Sequence, residues 1–155
     1  QLTWKDGSAN TYDAATLAPR DSFHYEGEGW GLATDGTSLF MSDGSDSLRV
    51  VSPAGFQVER VVHVRYKGAP LYQLNELEYA NGEIFANVYQ SNWVTRIDPV
   101  TGDVREAIDF ADLYADRPPL AEVMNGIAVA PDGHQLLLTG KLWPVLFQIR
   151  LRSAH

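Results

Sequence analysis

The chain has 155 residues, 45% of them hydrophobic and 11% aromatic, which is enough for one globular domain with a core. Twelve Lys and Arg against 20 Asp and Glu leave a formal charge of -8, which argues against nucleic acid and anionic membrane as partners. The absence of cysteine excludes disulfides and Cys-ligated zinc, and the four histidines, which lack H-x-x-x-H spacing, argue against His-ligated zinc. No apolar run approaches the roughly 18 residues of a membrane-spanning helix.

The first predicted elements are short strands joined by tight turns. "QLTWKDG" is an apolar strand already in progress, so we expect the chain to be a piece of a longer protein. The stretch 9–23 reads as strand, turn and strand, and 47–64 reads the same way with a proline in its turn. Between them, "GWGLATDGTSLFMSDGS" predicts a hairpin that starts at Trp30 and turns at Asp35-Gly36.

The same alternation continues along the chain. "NELEYANGEIFANVYQ" starts at Asn75 and predicts a hairpin that turns at Asn81-Gly82. The stretch 93–110 then reads as strand, Pro-containing turn and strand. "FADLYADR", residues 110–117, is the one candidate for a helix, closed by two prolines.

The hairpins recur at a regular spacing. A third hairpin, "NGIAVAPDGHQLLLTGK", starts at Asn125 and turns at Asp132-Gly133. Trp30 to Asn75 is 45 positions, and Asn75 to Asn125 is 50. A period of about 40 to 50 residues with four strands in each unit is typical of a β-propeller.

We therefore predict an all-β fold and a single domain over residues 1–155, a partial β-propeller of about three blades with part of a fourth. A propeller does not close with so few blades. Its N-terminal blades are expected upstream or on a second chain, because an open ring would leave unpaired strand edges.

The start of each inner strand indicates where a site would lie. In a propeller these strands line the central channel, so Trp30, Asn75 and Asn125 are expected at equivalent positions near one opening. The ends of the second strands should reach the same opening, near Trp4-Lys5, Ser42-Asp43, Val88-Tyr89 and Gly140-Lys141. Aromatic walls with a few polar groups are typical of a small-ligand pocket.

Several of these segments together are similar to a known family. "EGWGLATDG", "MSDGS", "LNELEY", "NGEIFANV", "IDPVTGDV", "NGIAVAPDG" and "LTGKLWP" resemble the glutaminyl cyclases of the plant and bacterial type, also called glutamine cyclotransferases. The resemblance runs from "QLTWKDG" to "LFQIRL". It implies a five-bladed β-propeller, of which this chain would be roughly the C-terminal three-fifths.

The resemblance also implies an activity. Members of the family are glutaminyl-peptide cyclotransferases, acyltransferase-class enzymes that convert the N-terminal glutamine of peptides or proteins into pyroglutamate and release ammonia. They use no catalytic zinc, so no cofactor is expected. A secreted or periplasmic location is expected on the same ground.

Four residues of this chain match pocket residues of the family, and a fifth falls at a pocket position where the residue type differs. The resemblance implies that Asn75 and Lys141 are catalytic, as donors to the developing oxyanion. It implies that Trp4, Trp30 and Tyr89 bind substrate, with Tyr89 standing where the plant members have tryptophan. The family's proton-shuttling glutamate is expected in an earlier blade, before this chain starts.

Structural roles remain open for the same residues. Trp30 could pack a core, Asn75 could cap a strand, and Lys141 could be a solvated lysine. Asp43 in "MSDGS" is typical of a turn. Glu28 and Glu76 are carboxylates near predicted strand starts, but neither matches the position of the family's proton-shuttling glutamate.

Two other functions also remain open. A metal-dependent propeller lactonase would hold calcium with channel oxygens, for which Asn75, Asn125 and Glu76 are the candidates. A non-catalytic propeller would bind peptides without releasing ammonia. Loss of activity with a chelator would favour the lactonase.

Overall fold

Short antiparallel strands build the chain. A computed structural model describes residues 1–131 and 133–151, and within them it contains strands and turns but no helix, so the prediction of an all-β fold is confirmed. The strands of the described residues are β1 (Ser8–Tyr12), β2 (Pro19–His24), β3 (Leu32–Thr34), β4 (Leu39–Met41), β5 (Ser47–Val51), β6 (Val58–His63), β7 (Arg65–Tyr66), β8 (Ala69–Pro70), β9 (Leu74–Ala80), β10 (Glu83–Val88), β11 (Trp93–Ile97), β12 (Val104–Asp109), β13 (Met124–Val129), β14 (Leu136–Gly140) and β15 (Phe147–Ile149).

The strands pair with their neighbours in sequence. Two sheets have four strands each, in the orders β3-β4-β5-β6 and β9-β10-β11-β12. A third sheet has the order β13-β14-β15, and β1-β2 and β7-β8 are separate hairpins. Each predicted strand-turn-strand unit is found as an antiparallel pair. The sheets do not close into a ring within the described residues.

The predicted hairpin turns use different backbone conformations. Asn81 and Gly82 form a two-residue loop with φ angles of 53° and 82°, the positive values that a hairpin loop of this length favours. In the first hairpin only Gly36 has a positive φ, 89°, and the aspartate before it accepts two backbone N–H groups of its loop. In the third turn Gly133 has a φ of 72°, and Asp132 lies outside the described residues.

The predicted helix at 110–117 is wrong. The segment folds as consecutive turns. The Asp109 carboxylate accepts the Ala111 N–H, and the Phe110 carbonyl accepts the Leu113 N–H at 3.0 Å. An eight-residue segment is too short to stabilise a helix by itself, and the prolines that follow prevent its extension.

Apolar side chains fill the spaces between successive sheets. The first core lies between the β1-β2 hairpin and the β3-β6 sheet, and it contains Ala9, Met41, Val51 and Phe56. The second lies between the two four-stranded sheets, with residues such as Phe40, Leu48, Leu77, Ile84 and Ile97. The third joins β9-β12 to β13-β15 through residues that include Phe85, Val94, Met124 and Leu138. The sheets therefore stack in chain order.

Strand β9 lies between the first strands of the two sheets on either side of it. Strand β9 contacts both β3 and β13. Close approach is possible because residue 31, just before β3, is glycine: a Cβ there would collide with the Asn75 carbonyl oxygen. This arrangement brings the three predicted inner-strand starts together.

Leu48→Ala in the complete protein is expected to lower the free energy of unfolding by about 2 to 5 kcal/mol. Leu48 is fully buried in the second core, so truncation removes apolar contacts and leaves a cavity. Urea denaturation measures the change. Leu120→Ala is the matched control, because Leu120 is 79% exposed. Equal midpoints for the two variants would contradict the assigned core.

Candidate active site

A cleft opens where β3, β9 and β13 begin. Its volume is about 310 Å³, and its lining consists of Trp4, Gly29, Trp30, Asn75, Tyr89, Val123, Asn125 and Lys141. All five site residues proposed from the sequence lie on this cleft, and Asn125 joins them. The structure thus brings these side chains together, while their chemical roles stay predictions.

Asn75 is fixed by hydrogen bonds between two sheets. It is the second residue of β9, and its backbone carbonyl accepts the Ser42 hydroxyl at 2.6 Å. The same Ser42 oxygen accepts the Gly31 N–H at 2.9 Å. Ser42 is fully buried, so this link between β9 and the segment before β3 is shielded from water.

The Asn75 side chain is available to a ligand. Within residues 1–131 and 133–151 the structure gives its carboxamide no hydrogen-bond partner. A strand-capping role would require such a bond to nearby backbone. The arrangement favours a role in the cleft over the capping alternative.

The Trp30 indole is held on three sides. Beneath it lies Gly44, where a Cβ would approach the ring to 2.6 Å. Tyr89 meets it edge-on, with ring centroids 5.3 Å apart and planes at 70°. Its Nε1 donates to Glu28 Oε2 at 2.7 Å. Trp30 is half-buried and belongs to none of the three cores of the described residues, which favours a wall of the cleft over core packing.

Trp4 forms a more open wall. Its side chain is 60% exposed, and its Nε1 donates to the same Glu28 oxygen at 2.6 Å. The Lys5 ammonium lies 4.1 Å from the ring centroid, within the range of a cation–π contact. Two indoles of the cleft therefore share one carboxylate.

Lys141 follows β14 and carries a paired charge. Its Nζ lies 2.9 Å from Glu122 Oε2. Two backbone hydrogen bonds also join the segments of Lys141 and Glu122: the Lys141 N–H donates to the Val123 carbonyl, and the Glu122 N–H donates to the Lys141 carbonyl. The Glu122 hydrogen bond and its negative charge raise the pKa of Lys141. The ammonium is therefore charged at neutral pH, and 57% of its side chain is exposed to solvent.

Asp43 has the turn-forming role. Its Oδ1 accepts the Ser45 N–H at 3.0 Å, and its Oδ2 pairs with Arg49 at 2.7 Å.

Hydrogen bonds from the indoles of Trp30 and then Trp4 lower the pKa of Glu28, which keeps that carboxylate ionised. Two of these contacts were not predicted from the sequence: the hydrogen bonds of both indoles to Glu28, and the ion pair of Lys141 with Glu122.

Glu76 lies next to Asn75 on β9 in an unfavourable environment for a charge. Burial, and then repulsion from Glu78, raise the pKa of Glu76 to about 7. Glu78 itself accepts the Val129 N–H at 3.1 Å and so joins β9 to β13. Ionising Glu76 therefore opposes folding in this part of the sheet.

Glu76→Gln is expected to remove a pH dependence of stability. Because the pKa of Glu76 is raised in the folded state, its stabilising effect is complete below about pH 4.5 and is lost as pH rises through about 7. At alkaline pH the variant should exceed the parent by about 1 to 2 kcal/mol, allowing for partial exposure of the carboxyl.

Urea midpoints across this pH range measure the Glu76 effect. Glu59→Gln, at an exposed position on β6, is the control and should follow the parent. Parallel curves for Glu76→Gln and the parent would show that Glu76 is well solvated.

The described residues contain no group of three or more His, Cys, Asp and Glu side chains placed to hold a metal ion. Among the same residues no helix is long and apolar enough to cross a membrane.

Comparison with known proteins gives consistent matches. Residues 1–151 match the sequence profile of the family described as glutamine cyclotransferase. The chain is 41% identical over 159 residues to a glutaminyl-peptide cyclotransferase of Arabidopsis thaliana, covering 99% of this chain and 50% of that protein. It thus spans about half the length of this curated relative.

Two solved structures are similar to this chain, one of them from the same family. The crystal structure of Myxococcus xanthus glutaminyl cyclase is similar with a TM-score of 0.90 and 41% identity, covering 96% of this chain and 66% of that chain. BamB from Moraxella catarrhalis has a TM-score of 0.53 and 13% identity, covering 90% of this chain and 38% of its own. The second likeness concerns the fold alone.

Proposed function

Because the chain belongs to the glutamine cyclotransferase family, we propose that the complete protein is a glutaminyl-peptide cyclotransferase. The observation that carries the proposal is the cleft, which is lined by three aromatic side chains, a carboxamide and a paired ammonium: Trp4, Trp30, Tyr89, Asn75 and Lys141. Its substrates would be peptides or proteins with an N-terminal glutamine, and it would act in a secreted or periplasmic location.

The complete fold is proposed to be a five-bladed β-propeller. Support comes from the stack of antiparallel sheets in chain order and from the similarity to the Myxococcus enzyme, of which this chain covers 66%. The two four-stranded sheets and the β13-β15 sheet would be three blades, and the β1-β2 hairpin part of another. An upstream segment or a second chain would supply the rest.

The proposed reaction is an intramolecular acyl transfer. The uncharged α-amine of the N-terminal glutamine attacks its own side-chain carboxamide carbon, forming a C–N bond and an oxyanion. The bond to the side-chain nitrogen then breaks. One proton passes from the attacking nitrogen to the departing nitrogen, which leaves as ammonia, so atoms and charge balance without an external reactant.

The cleft residues have distinct proposed roles. Trp4, Trp30 and Tyr89 would enclose the aliphatic part of glutamine and favour the folded conformer that cyclises. The Asn75 carboxamide and the Lys141 ammonium would donate to the oxyanion. The proton shuttle would come from an earlier blade, as the family resemblance implies. Glu28 would be a weak base, because two indole N–H groups already bind its Oε2 and lower its pKa.

Ammonia release from a Gln-peptide by the complete protein tests the proposal. We expect one ammonia for each N-terminal amine that is lost, and mass spectrometry should show the product as the peptide minus ammonia. The same peptide with an acetylated N-terminus is the control, because it lacks the nucleophile.

Other outcomes would identify the alternatives. Tight peptide binding without ammonia would indicate the non-catalytic propeller. Lactone hydrolysis that a chelator abolishes would indicate the lactonase. Either result would reject the cyclotransferase.

A further inference from the structure

We propose that Glu28 is a positioning residue that fixes the orientation of both tryptophans of the cleft. One oxygen, Oε2, accepts the Trp4 indole N–H at 2.6 Å and the Trp30 indole N–H at 2.7 Å. Glu28 is absent from the lining of the cleft, so it acts on the indoles from outside rather than on the ligand. The proposal deepens the proposed function, since its effect on substrate rests on that function.

The geometry of the two donors explains why one carboxylate can set both rings. An indole has a single polar hydrogen, so a hydrogen bond from it restricts the direction in which the N–H edge of the ring can point. Hydrogen bonds from N–H to an ionised carboxylate are stronger than those between neutral groups. Trp4 lies before β1 and Trp30 lies before β3, so Glu28 sets the relative position of walls from two different sheets.

The segment that carries Glu28 is itself held in place. Arg49 on β5 donates from Nη1 to the Glu26 carbonyl at 2.6 Å, and its Nη2 pairs with Asp43 at 2.7 Å. Arg49 thereby connects the segment of Glu28 to the turn that places Gly44 beneath the Trp30 ring. The carboxylate and the floor of the indole are therefore fixed to the same strand.

Glu28→Ala in the complete protein is expected to lower kcat/KM on a Gln-peptide by about tenfold, mainly through a higher KM. The walls bind the aliphatic part of the substrate in the ground state and the transition state alike, so loosening them weakens binding more than it slows the chemical step. Glu28→Gln keeps an acceptor oxygen and should recover part of the loss. Glu59→Ala, at an exposed position on β6, is the matched control.

A double-mutant comparison separates positioning from other effects. Trp4→Phe with Trp30→Phe keeps two aromatic rings but removes both N–H donors. If Glu28 acts through those donors, adding Glu28→Ala to this background should change kcat/KM little. A further tenfold loss there, or a parental kcat/KM for Glu28→Ala alone, would overturn the proposal.

A spectroscopic measurement tests the same contacts without activity. In complete protein labelled with ¹⁵N-tryptophan, Trp4→Phe and Trp30→Phe assign the two indole N–H signals. Both should shift in Glu28→Ala and in Glu28→Gln, while the Trp93 signal should not. Unmoved Trp4 and Trp30 signals would refute the positioning role. If both signals move but the parent releases no ammonia, the cyclotransferase proposal fails and the positioning of the indoles by Glu28 stands.

Discussion

Asn75→Asp is expected to lower kcat/KM of the complete protein on a Gln-peptide by about two to three decades, the effect of losing one preorganised donor to an oxyanion. The substitution keeps the size of the side chain, removes its NH₂ donors and adds a negative charge. Within the described residues the carboxamide of Asn75 has no hydrogen-bond partner, so no existing contact is broken. The cost should therefore fall on the reaction.

Stability separates this effect from misfolding. The backbone carbonyl of Asn75 keeps its bond to Ser42 in the variant, so a melting curve should change little. Asn81→Asp is the matched control: it makes the same replacement at the opposite end of β9, in a turn where Asp-Gly is also favoured. An Asn75→Asp enzyme with parental kcat/KM would place Asn75 outside the chemistry.

Trp30→Ala is expected to reduce kcat/KM roughly a hundredfold while the fold persists. The variant removes one wall of the cleft, the edge-on partner of Tyr89 and one of the two donors to Glu28. Truncating a core tryptophan to alanine lowers the free energy of unfolding by about 3 to 5 kcal/mol. Because Trp30 is half-buried and lies outside the three cores, its truncation should lower the free energy of unfolding by less.

Activity and melting of Trp30→Ala must be read together. Trp93→Ala is the matched control, because Trp93 is 37% exposed and pairs with Tyr66, and it should leave kcat/KM unchanged. A Trp30→Ala protein that melts far below the parent, yet keeps normal specific activity in its folded fraction, would show that the indole is structural.

Local signals predicted much of the fold. Asn81-Gly82 marked a hairpin because both residues tolerate a positive φ, and the structure has that two-residue loop. The spacing of Trp30, Asn75 and Asn125 predicted that equivalent strand starts meet, and they line one cleft. These features depend on short-range preferences and on repetition, which a sequence displays directly.

The features that sequence reasoning missed depend on distant contacts. Trp4 and Glu28 are 24 positions apart, in the segments before β1 and before β3. The Lys141–Glu122 pair likewise joins segments on either side of a hairpin. The helix predicted at 110–117 is wrong for a local reason. The residues there suit a helix, but the Asp109 carboxylate binds the Ala111 N–H, and two prolines follow the segment, so it forms turns instead.

The stacking of sheets in chain order has a mechanical consequence for the cleft. Trp30, Asn75 and Lys141 are each carried by a different sheet, and separate apolar layers determine how far apart those sheets lie. We expect a small volume change at Leu77, in the layer between two of these sheets, to change the distance between the sheets and with it the width of the cleft. The size of ligand that the cleft accepts would thus depend on buried residues between the sheets as well as on the residues that line the cleft.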